Sequence, residues 1–394
     1  MLDEHLGYIA DRVRLERYRQ AIDSTLSAGL KSGVDSAGHD SITVIDPITV
    51  IDAGCGFGVL GLMCLEAGAA HVWGIDATAA IDVARETMDR AELGPRYTCI
   101  RAQTFNASVP QPVDLIICDH VGYFGFDYGI IAMIGDLRRR LLTPGGTIMP
   151  RRIRLMIAGT ASADCQRKAD GWVADGVPGA FHWLRQYGVN TKHACTLTAE
   201  DIATTPAALG EIDLTADNPE HFALKTAITA ACDGTLNGLA GWFECELAQG
   251  VWMTNSPLAD DRIRRGQVFL PFDQPLAVKA GDEIAISVSF RHDSGTIVWS
   301  AHDLRSGERR KQSTWNSLIL DPAALDTSPE RVPQLTALAR ARSALLGLID
   351  GQRTAAQIEA AMLQDHPDLL PSAEAMRRFV RDELARNGRT ASGA

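Results

Sequence analysis

The sequence is short of clustered cysteine, of cationic charge and of long apolar runs, and each shortage narrows what the chain can be. Its eight cysteines (Cys55, Cys64, Cys99, Cys118, Cys165, Cys195, Cys232 and Cys245) include no Cys-x-x-Cys pair. A disulfide scaffold or zinc ribbon needs tighter clustering, so buried thiols in a reducing cytoplasm are expected, and no metal centre. The N-terminus, Met-Leu-Asp-Glu-His, carries acids where a signal peptide would carry positive charge. No run approaches the ~18 apolar residues of a membrane span. Even the stretch from Ile116 to Ile134 is broken by Asp119, His120 and Asp127. Lysine and arginine total 38 against 49 acids, a net charge of −11. Each phosphate contact requires a local cation, so neither nucleic acid nor a membrane is an expected partner. What is present is ordinary globular composition, 46% hydrophobic and 22% charged, across 394 residues. That length suits roughly two to three domains at about 100–200 residues each.

The grammar changes twice along the chain. Tyr8, Val13, Leu15, Tyr18 and Ile22 form an approximate helical stripe, followed by a Gly- and Ser-rich break over 29–40. From Ile48 to about Pro150, short apolar strands (49–52, 71–76, 114–118) alternate with helical stretches (59–67, 79–93, 135–142) and the Thr143-Pro-Gly-Gly146 turn. Such alternation calls for a parallel sheet covered by helices. After Pro150, segments near 154–158, 241–247, 268–272, 283–289 and 296–300 alternate at period two, as antiparallel strands do. A third unit opens near Pro333, where Thr354 and Gln357 form a capping box and Ser372 caps a last helix carrying Met376, Phe379, Val380 and Leu384. The expected class is α/β: residues 1–150 a helix plus Rossmann-like domain, 151–325 a β-barrel-like domain, 333–390 a helical module.

The strongest local signal is Asp52-Ala-Gly54-Cys-Gly56-Phe-Gly58, between a strand and a helix. Glycines let a ligand approach the backbone, and the helix N-terminus offers free N–H groups. Asp76 ends the next strand, where an acid can hydrogen-bond a ribose diol. A dinucleotide dehydrogenase would use a similar loop. The acid ahead of the glycines, however, resembles the S-adenosylmethionine-dependent class I methyltransferases.

Further motifs narrow the resemblance. Asp119-His-Val-Gly-Tyr-Phe124 follows the strand ending at Cys118, and Leu141-Leu-Thr-Pro-Gly-Gly146 follows in turn. His5 to Tyr18, Asn255-Ser-Pro257 and Val278-Lys-Ala-Gly-Asp282 complete a pattern that resembles the protein arginine methyltransferases over about residues 5 to 300. The resemblance implies S-adenosylmethionine as cofactor, with Arg14 on its carboxylate, Gly54 and Gly56 against its methionine portion, and Asp76 on the ribose. It also places Thr104 or Gln103 at the adenine and His5 nearby. It further implies a homodimer, formed through an arm near 172–193.

The same resemblance exposes departures. The family's acceptor loop carries two glutamates that grip a guanidinium. Here the first place is Asp119, one methylene shorter, and the second, nine residues on, is Tyr128, preceded by Asp127. Tyrosine is neutral at pH 7, its reference pKa being ~10, so the clamp is weakened unless Asp127 takes the role. The family's Thr-His-Trp segment is replaced by Ile263-Arg264-Arg265. Cations there would repel a guanidinium and favour an anion. Only four residues precede His5, so the family's N-terminal lid is expected to be shortened or absent. His120 is a candidate base, its reference pKa lying near the working range. Tyr123 completes the expected substrate-binding set with Arg264 and Arg265. Ala344 to Thr354 and the helices after it resemble the helical half of PqqD-type leader-peptide-binding domains, which points to a peptide acceptor in natural-product biosynthesis. The expected activity is methyl transfer to a side chain of a peptide, protein or amino acid, with arginine nitrogen as the inherited acceptor. The alternatives are a carboxylate or other nucleophile, and a non-catalytic protein that holds cofactor and peptide.

Overall fold

The computed structural model describes residues 2–28, 48–292, 295–318 and 332–388. The break read over 29–40 and the boundary near 325 lie outside the described residues. Two compact units are present, Met1–Leu318 and Ile319–Ala394.

The first unit opens with α1 (Leu2–Ile9) and α2 (Arg12–Ala28), then alternates strand and helix: β1 (Thr49–Ala53), α3 (Val59–Glu66), β2 (His71–Asp76), α4 (Ala80–Arg90), β3 (Tyr97–Arg101), β4 (Val113–Cys118), α5 (Ile130–Leu141) and β5 (Leu142–Met149). These five strands pair in parallel in the order β3-β2-β1-β4-β5. The central strands are buried along nearly their whole length, Val50, Ile51 and Leu115 to Cys118 included, because helices cover a parallel sheet on its faces. α4 shows how: Ala80, Ile81, Ala84 and Met88 are buried at helical spacing beside exposed charges. Strand order reverses between β1 and β4, so their C-terminal ends open a crevice, the usual ligand position in such sheets. Gly54 leaves one strand there and Asp119 the other.

β6 (Arg152–Thr160), α6 (Ala163–Ala169), α7 (Arg185–Gly188), β7 (His193–Cys195), β8 (Ala207–Asp213), β9 (His221–Thr229), β10 (Gly234–Ala248), β11 (Val251–Thr254), β12 (Gln267–Val278), β13 (Glu283–Arg291), β14 (Ile297–Asp303) and β15 (Arg309–Ser313) complete the unit. They form antiparallel sheets in the orders β7-β12-β10-β6-β8, with β11 on β10, and β15-β14-β13-β9. Burial along β13 alternates strictly, Ile284, Ile286, Val288 and Phe290 facing inward. Phe290 stacks on Phe126 at 3.7 Å and on Phe222 at 4.8 Å, which seats the loop after β4 on the barrel-like sheets. One continuous apolar core therefore joins the parallel and antiparallel parts.

The second unit holds α8 (Ala337–Leu348), α9 (Ala355–Asp365) and α10 (Ala373–Asn387), closed around Ala341, Leu345, Ile358, Met362, Met376 and Val380. Thr354 and Gln357 form the expected reciprocal capping box, and Ser372 accepts from the Ala375 N–H at 3.1 Å. Elsewhere the boundaries shift. α5 starts at Ile130, ahead of the expected 135, because Gly129 supplies a left-handed N-cap at φ 78°. Thr143 to Gly146, read as a turn, belongs to β5.

Candidate active site

The cofactor side is built by glycines where a side chain would collide. Gly54, at φ +68°, would place a Cβ 2.4 Å from His120 Nε2, and Gly56, at φ +54°, one 2.6 Å from His5 Cε1. Both conformations belong to glycine, and both close approaches require its missing side chain. The Gly54 and Cys55 N–H groups donate to the Ile75 carbonyl at 2.8 and 3.0 Å, folding the loop over the end of β2. Asp76 accepts from the Gly56 N–H at 3.0 Å and from Thr78 N–H and Oγ1 at 2.8 and 2.6 Å. Beneath the loop, Asp52 accepts from the Gly61 N–H at 2.9 Å, and burial pushes its carboxyl up to about 7.

These groups line a cavity of about 610 Å³ together with His5, Tyr8, Arg14, Gln103, Thr104, Asp119, His120 and Tyr128. His5 stacks on Phe57 at 4.0 Å, tying exposed α1 to the glycine loop. The His120 ring lies against Gly54, and burial lowers its pKa, so it is neutral at pH 7. The glycine cradle, the acid at the end of β2 and a buried arginine on α2 fit S-adenosylmethionine, whose ribose diol and carboxylate need such partners.

Asp119, also in the cavity wall, is held by three side chains. Its Oδ2 accepts from Arg14 Nε at 2.7 Å and lies 2.5 Å from Arg14 Nη2; Arg265 Nη2 donates to the same oxygen at 3.0 Å. Oδ1 accepts from the Tyr18 hydroxyl at 3.1 Å. The three charged side chains are only 5–10% exposed. Burial pushes the Asp119 carboxyl up, but the two guanidiniums and the hydrogen bonds more than offset it and hold it below its ordinary value. The Tyr8 ring lies 5.2 Å from the Arg14 guanidinium carbon and 5.4 Å from that of Arg265, adding cation–π contact.

Asp127 does not take the place of the second glutamate. Its carboxylate caps its own loop, accepting from the Tyr123 and Phe124 N–H groups at 2.9 Å each, and pairs with Lys192 at 2.6 Å. Gly122 is required for this, since a Cβ there would lie 2.1 Å from Asp127 Oδ1. Tyr128 does reach the cavity, with its ring edge-on to Tyr123 at 5.8 Å. Tyr123 itself lies outside the cavity wall; its carbonyl accepts from Asn255 Nδ2 at 2.9 Å. Arg264 is corrected in the same way. Its side chain is exposed and its backbone N–H donates to Asp11 Oδ2 at 2.6 Å, while Arg265 turns inward. The partners that the motif reading missed are Asp11, Tyr18 as a hydrogen-bond donor, and Lys192. Asp11 sits three residues before Arg14, a one-turn spacing that signals an N-terminal cap, but nothing in the sequence links Lys192 to Asp127.

The parallel sheet, the glycine cradle and the acid on β2 define a class I S-adenosylmethionine-dependent methyltransferase, joined to a barrel-like domain as in the protein arginine methyltransferases. Residues 50–146 match the family model for a methyltransferase domain. The chain is 25% identical to protein arginine N-methyltransferase 1 of Schizosaccharomyces pombe over 62% of its own length and 74% of the relative's. It is also 25% identical to protein arginine N-methyltransferase 6 of Xenopus laevis, over 71% and 81%. Among solved structures it shares its fold with the Trypanosoma brucei PRMT1 enzyme–prozyme heterotetramer with AdoHcy, at TM-score 0.65 and 20% identity, covering 78% of this chain and 96% of that one. The open Arabidopsis thaliana protein arginine methyltransferase 10 also matches at TM-score 0.65, with 21% identity, over 80% and 98%.

Proposed function

We propose that this enzyme transfers the methyl group of S-adenosylmethionine to a side chain of a peptide or protein. The arginine guanidinium is the acceptor that likeness to the relatives offers first. The observation that carries the reading is the single cavity in which the Gly54–Gly56 cradle and the Asp119–Tyr128 loop face one another. The cofactor supplies a methyl already activated on a sulfonium. The chain's own work is then to hold an acceptor in line and keep water out, and near-attack placement can reach effective molarities of ~10⁵ M or more. Arg14 would hold the cofactor carboxylate, Asp76 the ribose and Thr104 the adenine edge. Neutral His120 would flank the cofactor, and Asp119 with its arginines would form the floor of the acceptor end.

A second acceptor class, a carboxylate or other uncharged or anionic nucleophile, is favoured by one specific observation. Both acids of the acceptor loop are already paired, Asp119 with Arg14 and Arg265, Asp127 with Lys192. Tandem mass spectrometry after incubation with methyl-labelled cofactor separates the classes. Label on a guanidinium establishes the first and label on a carboxylate the second, while no label on any of the arginine, aspartate and glutamate peptides refutes both.

The proposal extends to a homodimer in the cytoplasm. Half-exposed Trp172, Phe181 and Trp183 on the segment near 172–193 supply apolar surface for such contact. Among the described residues no helix is long and apolar enough to cross a membrane. The helical unit at the C-terminus is proposed to hold a precursor peptide in natural-product biosynthesis, supported by its resemblance to leader-binding domains.

A further inference from the structure

We propose that Arg265 is a resident guanidinium that closes Asp119 to an incoming one, so that the acceptor site takes a peptide carboxylate in place of arginine. This rests on the reading of the cavity as a methyl-transfer site, and it names the acceptor class for that site. Arg265 stands outside the cavity wall and acts through Asp119, which stands in it.

A substrate guanidinium needs a carboxylate whose charge is not already cancelled, because a desolvated cation without a counter-charge is strongly disfavoured. Among the described residues of the acceptor loop there is none. Three side chains of the protein already donate to the Asp119 carboxylate, Arg14 and Arg265 to Oδ2 and Tyr18 to Oδ1. Asp127 is 2% exposed and held by two N–H groups and Lys192. Of the other acids in the cavity wall, Asp52 and Asp76 hold the glycine loop, and Glu4 is exposed on α1. The buried Arg14–Asp119–Arg265 group carries one surplus positive charge. The cofactor's methionine end is a zwitterion and adds no net charge, so the surplus persists with S-adenosylhomocysteine bound, and the sulfonium of S-adenosylmethionine adds to it. The field at the acceptor end thus opposes a cation and favours an anion. Arg265 is fixed there by the backbone: Asn255 donates to the Gly266 carbonyl at 2.6 Å and Gln267 to the Arg265 carbonyl at 3.4 Å.

The chemistry is consistent with that field. A carboxylate oxygen attacks with a lone pair and forms the O–CH3 bond while the sulfur–methyl bond breaks. The bonding pair returns to sulfur, giving a methyl ester and a neutral thioether. No proton changes hands, so no base is required.

The test uses the full chain saturated with S-adenosylhomocysteine and three peptides, acetylated and amidated, that differ only in one central Arg, Asp or Gln. Calorimetry on the native protein is expected to show the Asp peptide bound about tenfold or more tighter than the Arg peptide, the order expected for one desolvated charge pair. Arg265→Lys should keep that order and Arg265→Gln should reverse it. A native preference for the Arg peptide overturns the proposal. So do equal or undetectable binding of all three peptides, and an Arg265→Gln variant that weakens all three equally, as a purely structural role would. If native protein fails to bind S-adenosylhomocysteine, the cofactor-pocket reading fails instead, and calorimetry without peptide shows this separately.

Discussion

Replacing Asp119 by Asn keeps the shape of the buried group and removes its charge. Two guanidiniums, on side chains 5% and 8% exposed, would then share no counter-charge. Removing one partner of a buried pair costs about 3–5 kcal/mol, because the other charge is left uncompensated. Asp119→Asn should therefore destabilise the first unit by about 3 kcal/mol or more. Arg265→Gln alone leaves Asp119 paired with Arg14 and should cost less, about 1–3 kcal/mol. In the double variant the surplus guanidinium is gone, so its cost should fall short of the sum by about 1 kcal/mol or more. Urea unfolding followed by tryptophan fluorescence reads this cleanly. Every tryptophan, including buried Trp242 and Trp299, lies at or before Trp315, so the signal comes from the first unit. The Asp119 carboxyl is held below its ordinary value, so its contribution is full above the unfolded pKa and lost as pH falls through the folded one. The difference between native protein and Asp119→Asn should therefore shrink only below about pH 4. A cost under about 1 kcal/mol at pH 7, or strict additivity in the double variant, would show that the three charges do not act as one buried group.

Three further outcomes are expected. Gly54→Ala puts a methyl 2.4 Å from His120 Nε2 at a positive φ, and should weaken S-adenosylmethionine binding by about tenfold or more, read by calorimetry. Asp52, raised by burial to about 7, binds a proton in the folded chain that the unfolded chain releases. Stability from this group is therefore lost as pH rises from about 4 to 7, and Asp52→Asn should flatten that part of the stability–pH curve; an unchanged curve would contradict the assignment. His120, depressed by burial, should titrate below its ordinary value in a nitrogen-15 NMR experiment, and a midpoint at or above 6.5 would count against its partly buried place in the cavity wall.

Local chemistry was readable wherever a motif and its strand are contiguous. Asp52 to Gly58 and Asp76 come together because parallel pairing of β1 and β2 brings their C-terminal ends side by side. Half the strands of the barrel-like region (β6, β10, β12, β13 and β14) were legible through period-two alternation, whereas β7, β8, β9, β11 and β15 were missed, being short, polar or half-exposed, as was β3 of the parallel sheet. Long-range charge pairing was not readable. Arg265 and Arg264 are equivalent as sequence, and only the fold, which pairs Arg265 with Asp119 and leaves the Arg264 side chain exposed, shows which one turns outward. Asp127 looked free to replace a glutamate until its capping bonds and Lys192 accounted for it. The motif thus located the loop after β4 that lines the cavity, while partners 105 and 146 residues away hold its acid.

The proposed activity requires that one cavity both bind the cofactor and spend it. The most direct measurement follows production of S-adenosylhomocysteine together with label transfer to the peptide panel, using native protein and Gly54→Ala in parallel. Native protein is expected to form both products in equal amounts, with the label on a side chain, and Gly54→Ala to form both about tenfold or more slowly at subsaturating cofactor. S-adenosylmethionine retained by native protein, with no S-adenosylhomocysteine and no labelled peptide, would contradict it.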